Sequence, residues 1–227
     1  MTSGTSRPAR LTAHRRIERA MLRATARQRL LLARHGLAAL LSACLATPAS
    51  AAAWNLATLM QALGQQAAGH ARFTETKTLA LLEQPLTSRG ELVYAPPDRL
   101  EKHTVQPQAE SMRVAGDTLT LTRQGQVHTL HLPEQPQARA IVDAVRGTLT
   151  GNHALLARHY TLRLSGTAAR WRLTLTPTGT GMRQWVRQIE VSGTQGRIQQ
   201  IETFQTDGDR SLLVITPCPA GACPPAR

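Results

Sequence analysis

Residues 160–176 read YTLRLSGTAARWRLTLT, a stretch in which apolar side chains recur at every second position. The alternation begins at Tyr160 and begins again at Trp171, with the turn cluster Ser165–Ala168 between the two arms. Because successive side chains of a strand point to opposite faces, each arm has one apolar and one polar face. The stretch therefore predicts an antiparallel β-hairpin.

The same alternation continues on both sides of this hairpin. Thr118–Arg123 and Gln126–Leu132 form a second predicted hairpin around Gly125, and Asp207–Gly208 is a turn signal for a third. Further strands are predicted over residues 73–82, 89–94, 100–105, 111–115, 185–192, 196–206 and 211–216. The total is about eleven short strands, each half apolar and half polar, which predicts sheets with one face exposed to solvent.

Two segments have helical spacing instead. The first is predicted to span residues 55–68 and to end at Gly69, and its apolar positions are Leu56, Leu59, Met60 and Leu63. The second follows Pro133 and Pro136, and its apolar positions are Ile141, Val142, Val145 and Leu149. Many strands with a few covering helices predict a mainly β (α+β) fold, a curved or half-closed sheet with a helical lid.

The formal net charge of +13 is concentrated at the start of the chain. Residues 1–35 contain nine arginines against a single acid, Glu18. Lysine occurs only at Lys77 and Lys102, and the rest of the 27 basic residues are arginine. A phosphate-binding surface uses both cations freely. We therefore expect no nucleic-acid binding.

Residues 36–45 form an apolar run, GLAALLSACL, between a basic segment and a group of small residues behind Pro48. This order is typical of a secretory signal peptide, with cleavage expected near Ala51–Ala53. A helix of this length would rise only about 15 Å, half the thickness of a bilayer, so we expect no permanent membrane span. The sequence thus predicts a basic n-region and signal peptide over 1–53 and an exported, periplasmic domain over 54–216.

The N-terminal segment leaves two alternatives open. Either Met1 or Met21 is the true start. The sequence LSAC at residues 41–44 also fits a lipobox, in which Cys44 would be lipidated and would become the mature N-terminus. In that case the apolar core before it would shrink to about five residues, which is short for any signal.

If Cys44 leaves with the signal, only Cys218 and Cys223 remain, in a Cys/Pro-rich tail over 217–227. In an oxidising compartment their spacing allows a disulfide loop worth about 2 kcal/mol, which constrains the tail alone. The alternative is a pair of free thiols. We expect no zinc site, because no histidine lies close to this pair in the sequence.

The exported region contains no recognisable catalytic or metal-binding pattern. His128 and His131 are three apart on a predicted strand, so they point to opposite faces and cannot chelate together. No metalloprotease, phosphate-loop, dinucleotide-binding or nucleophile-elbow motif occurs. The neighbouring charges Glu75 with Lys77, and Glu101 with Lys102, are interpreted as ordinary strand-surface charges. We therefore predict no enzyme, no catalytic residue, no metal and no cofactor.

Two segments resemble a known family: ARFTETK at residues 71–77 and SRGELVYAPPDRLEK at residues 88–102. They resemble the periplasmic outer-membrane lipoprotein carrier family, LolA, and more closely its divergent LolA-like relatives. In that family a helix precedes a strand with a Phe-Thr-Glu/Gln core. A Gly-x-Leu-x-x-x-x-Pro strand and turn follow, matched here by Gly90, Leu92 and Pro97. The similarity covers most of the exported domain.

The resemblance implies both a fold and a function. The implied fold is an incomplete antiparallel β-barrel of about eleven strands with helices as a lid. The implied function is that of a carrier or chaperone, which shields the acyl chains of a lipoprotein, or a glycolipid or other lipid-like cargo, between the inner and outer membranes. It implies an inner-membrane exporter and an outer-membrane acceptor as partners, and we expect a monomer. The alternatives are a LolB-type acceptor anchored through Cys44 and a non-enzymatic envelope interaction module with a filled core.

One position departs from the family pattern. The carriers have a basic residue, important for lid closure, directly before the turn proline, and Pro96 occupies that position here. Arg99 lies nearby and is the candidate for the lid-closing role.

Strand parity and helical spacing together predict which side chains line the interior. Residues two apart on a strand share a face, and the apolar face must be the enclosed one. The expected lining of an apolar cavity and its lid is Phe73, Leu92, Tyr94, Met112, Leu119, Leu121, Ile141, Val145, Leu149, Leu173 and Leu175. If Leu173 faces a cavity, Leu173→Ala should cost less than the roughly 2–5 kcal/mol usual for a filled core. The sequence leaves open whether the interior is a cavity or a packed core.

Overall fold

The computed structural model describes residues 54–218 and Cys223. Eleven strands in this part of the chain form a single antiparallel sheet. The strands are β1 (Gly69–Thr78), β2 (Leu86–Ala95), β3 (Arg99–Gln106), β4 (Glu110–Ala115), β5 (Thr118–Arg123), β6 (Gln126–His131), β7 (Tyr160–Thr167), β8 (Arg170–Pro177), β9 (Val186–Thr194), β10 (Arg197–Gln205) and β11 (Arg210–Pro217).

The order of the strands leaves the sheet open. It runs β6-β5-β4-β3-β2-β1-β11-β10-β9-β8-β7, so the first and last strands of the chain are neighbours at its centre. Strands β6 and β7 are the two edges. The prediction of a mainly β fold with an incomplete antiparallel barrel of eleven strands is confirmed.

Helices accompany the sheet at three places in the described residues. They are α1 (Leu56–Leu63), α2 (Pro136–Leu149), α3 (His153–Ala157) and α4 (Thr180–Arg183). Helices α2 and α3 follow a short 3-10 turn at Leu132–Glu134 and make the crossover between the two edge strands. Across residues 54–218 no helix has the length and apolar character that crossing a membrane requires.

Helix α1 begins where its sequence favours a cap and ends earlier than the spacing predicts. The Asn55 side chain accepts the Thr58 N–H at 3.0 Å, and the Thr58 hydroxyl accepts the Asn55 N–H at 2.8 Å, which is a reciprocal capping arrangement. The helix stops at Leu63, with Gly64 as its C-cap. Gly69, expected to end the helix, instead begins β1. The predicted end of this helix was therefore wrong.

The strand predicted over residues 73–82 is shifted towards the N-terminus. Strand β1 ends at Thr78, and the chain then leaves the sheet. The Ala80 N–H donates to the Asp209 carboxylate at 2.8 Å, in the turn between β10 and β11, instead of to a neighbouring strand. The side chain of Leu81 is 97% exposed. The apolar run after Thr78 is thus a loop, because its backbone bonds to a turn.

Two packed clusters cover parts of the inner face of the sheet. The first joins α1 to strands β8–β10 and is built on Leu59, Leu63, Leu156, Tyr160, Trp171, Leu173, Leu175, Val191 and Ile198, among others. The second joins α2 to β4 and β5 and consists of Val114, Leu119, Leu132 and Val142. The core is therefore divided into two parts instead of running continuously beneath the helices.

Candidate functional site

A cavity of about 450 Å³ lies between the inner face of the sheet and helix α2. Members of both packed clusters border it, for example Val114 and Val191, so the cavity separates two filled regions. Its volume falls within the roughly 300–1,000 Å³ typical of small-molecule sites. The chain has only three Trp, two Tyr and two Phe residues, and the walls are mostly aliphatic. Such walls suit flexible hydrocarbon chains better than flat rings.

The residues that the sequence predicts as lining fall into two groups. One group borders the cavity: Leu92, Tyr94, Met112, Ile141, Val145, Leu149 and Leu175. The other group packs elsewhere on the inner face: Phe73, Leu119, Leu121 and Leu173. Parity places each strand residue on the correct face, but the helices above decide which part of that face is filled.

Leu173 belongs to the filled part of the interior. It is completely buried in the first cluster and does not border the cavity. Leu119 is buried in the second cluster, and Leu121 packs against it. Leu173→Ala is therefore expected to behave as a core substitution, contrary to the small cost that its sequence position suggested.

Phe73 lies between a glycine and a lysine. A Cβ atom on Gly90 would sit 2.9 Å from Phe73 Cε1 and 1.9 Å from the His103 carbonyl oxygen, so only glycine leaves room for the ring. On the side of the cavity, Lys102 Nζ lies 4.9 Å from the centroid of the Phe73 ring, a cation–π contact. The lysine thus stands between this aromatic ring and the open space.

A polar cluster occupies the inner face next to the cavity. Glu75 is only 8% exposed, and its carboxylate accepts hydrogen bonds from Lys102 Nζ at 2.5 Å and from the Ser211 hydroxyl at 2.7 Å. Ser88 donates to it at 3.4 Å, and Lys77 Nζ lies 3.9 Å away. We call these five residues the Glu75 cluster.

The interpretation of Glu75 and Lys102 as surface charges was wrong. Glu75 is two residues from Phe73 on β1, so the two share the inner face. Lys102 pairs across the sheet with Leu92 and Met112, both of which border the cavity. The parity that predicted the apolar lining therefore also contained the signal for this buried ion pair.

The environment of Glu75 favours its ionised form. Burial alone raises the pKa of a carboxyl group. Here the hydrogen bond and charge of Lys102, the hydrogen bond from Ser211 and the charge of Lys77 together outweigh burial, and the pKa of Glu75 is lowered. Glu75 is therefore an anion at neutral pH.

Helix α2 is tied to the strand turns by a residue that the sequence did not single out. Arg146 donates through Nη2 to the carbonyl oxygens of Asp98 at 2.9 Å and Gly116 at 2.5 Å. These oxygens belong to the β2–β3 and β4–β5 turns. Arg99, the candidate for lid closure, pairs with Glu101 at 2.7 Å. Nothing in the sequence pattern distinguished Arg146 from the many other arginines.

The N-terminal half of α2 is held near the start of β7. The Tyr160 hydroxyl donates to the Ala140 carbonyl oxygen at 3.1 Å. The buried Asp143 carboxylate lies 3.0 Å from His159 Nε2 and 3.6 Å from Arg139 Nε. Polar contacts therefore fix α2 over the cavity from two sides.

The C-terminal tail is closed by a bond between Cys218 and Cys223, whose Cα atoms are 5.1 Å apart. The Cys218 N–H donates to the His70 carbonyl oxygen at 3.0 Å, which continues the pairing of β11 with β1. The expected signal peptide and Cys44 lie outside the described residues.

Comparison with known proteins gives one matching family model and several matching solved structures. A family model for outer membrane lipoprotein carrier protein LolA-like sequences matches residues 48–223. No curated protein matches the chain.

Three of the matching solved structures have the following similarity to this chain. A LolA superfamily protein from Nitrosomonas europaea is 10% identical, with a TM-score of 0.41 over 72% of this chain and 92% of its own. The lipoprotein LppX from Mycobacterium tuberculosis is 12% identical, with a TM-score of 0.40 over 71% and 92%. A putative outer membrane lipoprotein-sorting protein domain from Vibrio parahaemolyticus is 11% identical, with a TM-score of 0.40 over 74% and 92%.

Proposed function

Because the chain belongs to the LolA-like family of outer membrane lipoprotein carrier proteins, we propose that it is a carrier that shields the apolar part of a lipoprotein or lipid-like cargo. It would do so in the periplasm, during transport between the inner and outer membranes. The observation that carries this proposal is the aliphatic cavity beneath α2. Cargo, in this proposal, is bound and released without chemical change.

The energetics of acyl chains match this task. Hiding hydrocarbon from water is worth about 0.8 kcal/mol per methylene. A carrier must therefore enclose most of a chain to move it through water, and hydrogen-bond donors add little to that. Walls such as Leu92, Ile201, Leu213 and Ile215 supply the required aliphatic surface.

The carrier works, in this proposal, as an exported monomer. It would accept cargo from an inner-membrane exporter and deliver it to an outer-membrane acceptor. The signal peptide that we expect over residues 1–53 would place it in the periplasm. Lipidation at Cys44 would instead give a membrane-anchored acceptor, and mass spectrometry of the mature N-terminus distinguishes these forms.

The cavity also bears on the second alternative, an interaction module with a filled core. Such a module needs no enclosed space between its packed clusters, whereas about 450 Å³ lies between them here. This observation favours the carrier.

Titration with the neutral dye N-phenylnaphthylamine, whose fluorescence rises in apolar surroundings, tests the proposal. Leu213 borders the cavity, and its neighbour Leu212 lies on the outer face of the same strand. Leu213→Asn places an amide that must lose its water when an apolar ligand enters, at a cost of about 1–3 kcal/mol. We expect its affinity for the dye to fall about tenfold.

Leu212→Asn is the matched control and should bind as the wild type does. Fatty acids should displace the dye from the wild type. A wild-type protein that binds neither dye nor fatty acid, or equal losses in both variants, would contradict a carrier with this cavity.

A further inference from the structure

The inner face of the sheet changes character along the strands. Cross-strand partners share a face, so the row Ala71, Leu92, Lys102 and Met112 crosses β1–β4 beside the cavity. Two residues further along the strands the row is Phe73, Gly90, Thr104 and Glu110. Beyond it lie Glu75 and Ser88. On strands β2–β4 the inner face is thus apolar beneath α2 and polar beyond Lys102.

Lys102 stands at the boundary between these two regions. Its side chain borders the cavity and is 26% exposed. An ammonium group has three N–H donors, and among the described residues its hydrogen bond runs to Glu75 alone. Donors therefore remain for an acceptor that arrives from the cavity.

The charge of the Glu75 cluster is not balanced. Lys77 and Lys102 are the only two lysines of the chain, and both approach the same carboxylate. Two ammonium groups against one carboxylate leave one net positive charge beside a cavity whose walls are mostly aliphatic. An amphiphile with a single anionic head would complete this charge arrangement.

The other charged residues around the cavity are placed differently. Glu101 is engaged by Arg99, His103 and Arg113. Arg197 is an exposed residue at the β9–β10 turn, at the opposite end of the strands from Glu75. Neither offers a partly buried, oriented donor beside apolar wall as Lys102 does.

We propose that Lys102, held in place by Glu75, receives the anionic oxygen head of the cargo, a carboxylate or a phosphate, while the acyl chain lies beneath α2. This inference rests on the proposed carrier function and specifies the ligand class of its cavity. Few, precisely placed polar groups in an apolar site fix the orientation of a ligand. The Lys102 ammonium group, oriented by its hydrogen bond to Glu75, is such a group.

Displacement of N-phenylnaphthylamine by three ligands with the same hydrocarbon tail tests the inference on the full chain. The ligands are laurate, lauryl phosphate and the neutral methyl laurate. We expect at least one of the two anions to bind about tenfold more tightly than methyl laurate, as a charge-assisted hydrogen bond requires. The anion that does so identifies the carboxylate or the phosphate as the head. In Lys102→Met the ratio of the dissociation constant of methyl laurate to that of the preferred anion should fall close to one.

Lys77→Met is the matched control, since it removes the same charge from a side chain that is 51% exposed and does not border the cavity. It should keep most of the preference. If Lys102→Met fails to fold with its buried carboxylate unpaired, the double variant Glu75→Gln/Lys102→Met removes the pair together and should show the same loss of preference.

The outcomes separate this inference from the proposed function. Equal affinities of the wild type for all three ligands would overturn the head site and leave the carrier intact. An equal loss of preference in Lys77→Met and Lys102→Met would show that the anion responds to the net positive charge of this region instead of to a contact with Lys102. That result would also overturn the head site. A wild type that binds none of the ligands would overturn both proposals.

Discussion

Glu75 illustrates how one residue can carry both stability and selectivity. It is buried, it accepts hydrogen bonds from Lys102 and Ser211, and it fixes the lysine that faces the cavity. Removing one partner of a buried pair leaves the other charge without a counter-ion. This destabilises the folded state by more than the intact pair stabilises it. Glu75 should therefore contribute to the stability of the folded protein even when no cargo is bound.

The lowered pKa of Glu75 predicts a pH-dependent contribution to stability. The unfolded carboxyl has a pKa near 4.3, and the folded value lies below it. The stabilisation is therefore present above the unfolded value and is lost as the pH falls through the folded value. At pH 7 we expect Glu75→Gln to be about 1–3 kcal/mol less stable than the wild type. The difference should shrink towards pH 3.

Urea denaturation of both proteins at several pH values measures this difference. Ser88→Ala is a useful control, because it removes the weakest hydrogen bond to Glu75 without removing the titrating group. A difference between wild type and Glu75→Gln that stays constant from pH 7 to pH 3 would contradict an ionised, paired Glu75.

At the scale of residues, the sequence predicts the sheet face on which a side chain lies better than it predicts what packs around that side chain. Parity correctly puts Phe73 and Leu173 on the inner face, yet neither borders the cavity. Phe73 is covered by Lys102, and Leu173 is covered by the cluster around α1. These contacts join residues far apart in the chain, and no local pattern contains them.

At the scale of elements, the helices divide the inner face into filled and open parts. Helix α1 fills the part over β8–β10, and the beginning of α2 fills the part over β4 and β5. The remainder of α2 spans the cavity, tied through Arg146 to two strand turns. A wall residue and a core residue on the same sheet should therefore respond differently to truncation.

Leu173→Ala and Leu213→Ala make this comparison. Leu173 is completely buried in the first cluster, so its truncation should create a void and cost about 2–5 kcal/mol. Leu213 already borders open space, so its truncation should cost well below about 2 kcal/mol. Urea denaturation of both variants measures the two costs. Equal costs would mean that the space beside Leu213 is packed in solution.

The elements themselves are well predicted where local signals agree. Alternation of apolar and polar residues predicts all eleven strands, and helical spacing after Pro136 predicts α2. Boundaries fail where a distant contact decides them. Strand β1 ends early because Ala80 bonds to Asp209, which lies far along the chain. Helix α4 at Thr180–Arg183 is too short to produce a periodic signal.

At the scale of the whole molecule, the central question is whether the interior holds a ligand. A leucine-rich inner face gives the same sequence pattern whether its side chains pack against one another or enclose a cavity, since both arrangements need aliphatic side chains. The fold class and the family could be predicted from strand order and short motifs. The cavity could not, because it depends on how far two helices cover one sheet.

Native mass spectrometry of the protein purified without detergent from its own host tests the central claim most directly. The account predicts a complex of one chain with one amphiphile, released on collisional activation, with a mass that identifies an acyl chain and an anionic head. The result that would contradict it is a ligand-free chain alone, both as purified and after incubation with laurate or lauryl phosphate.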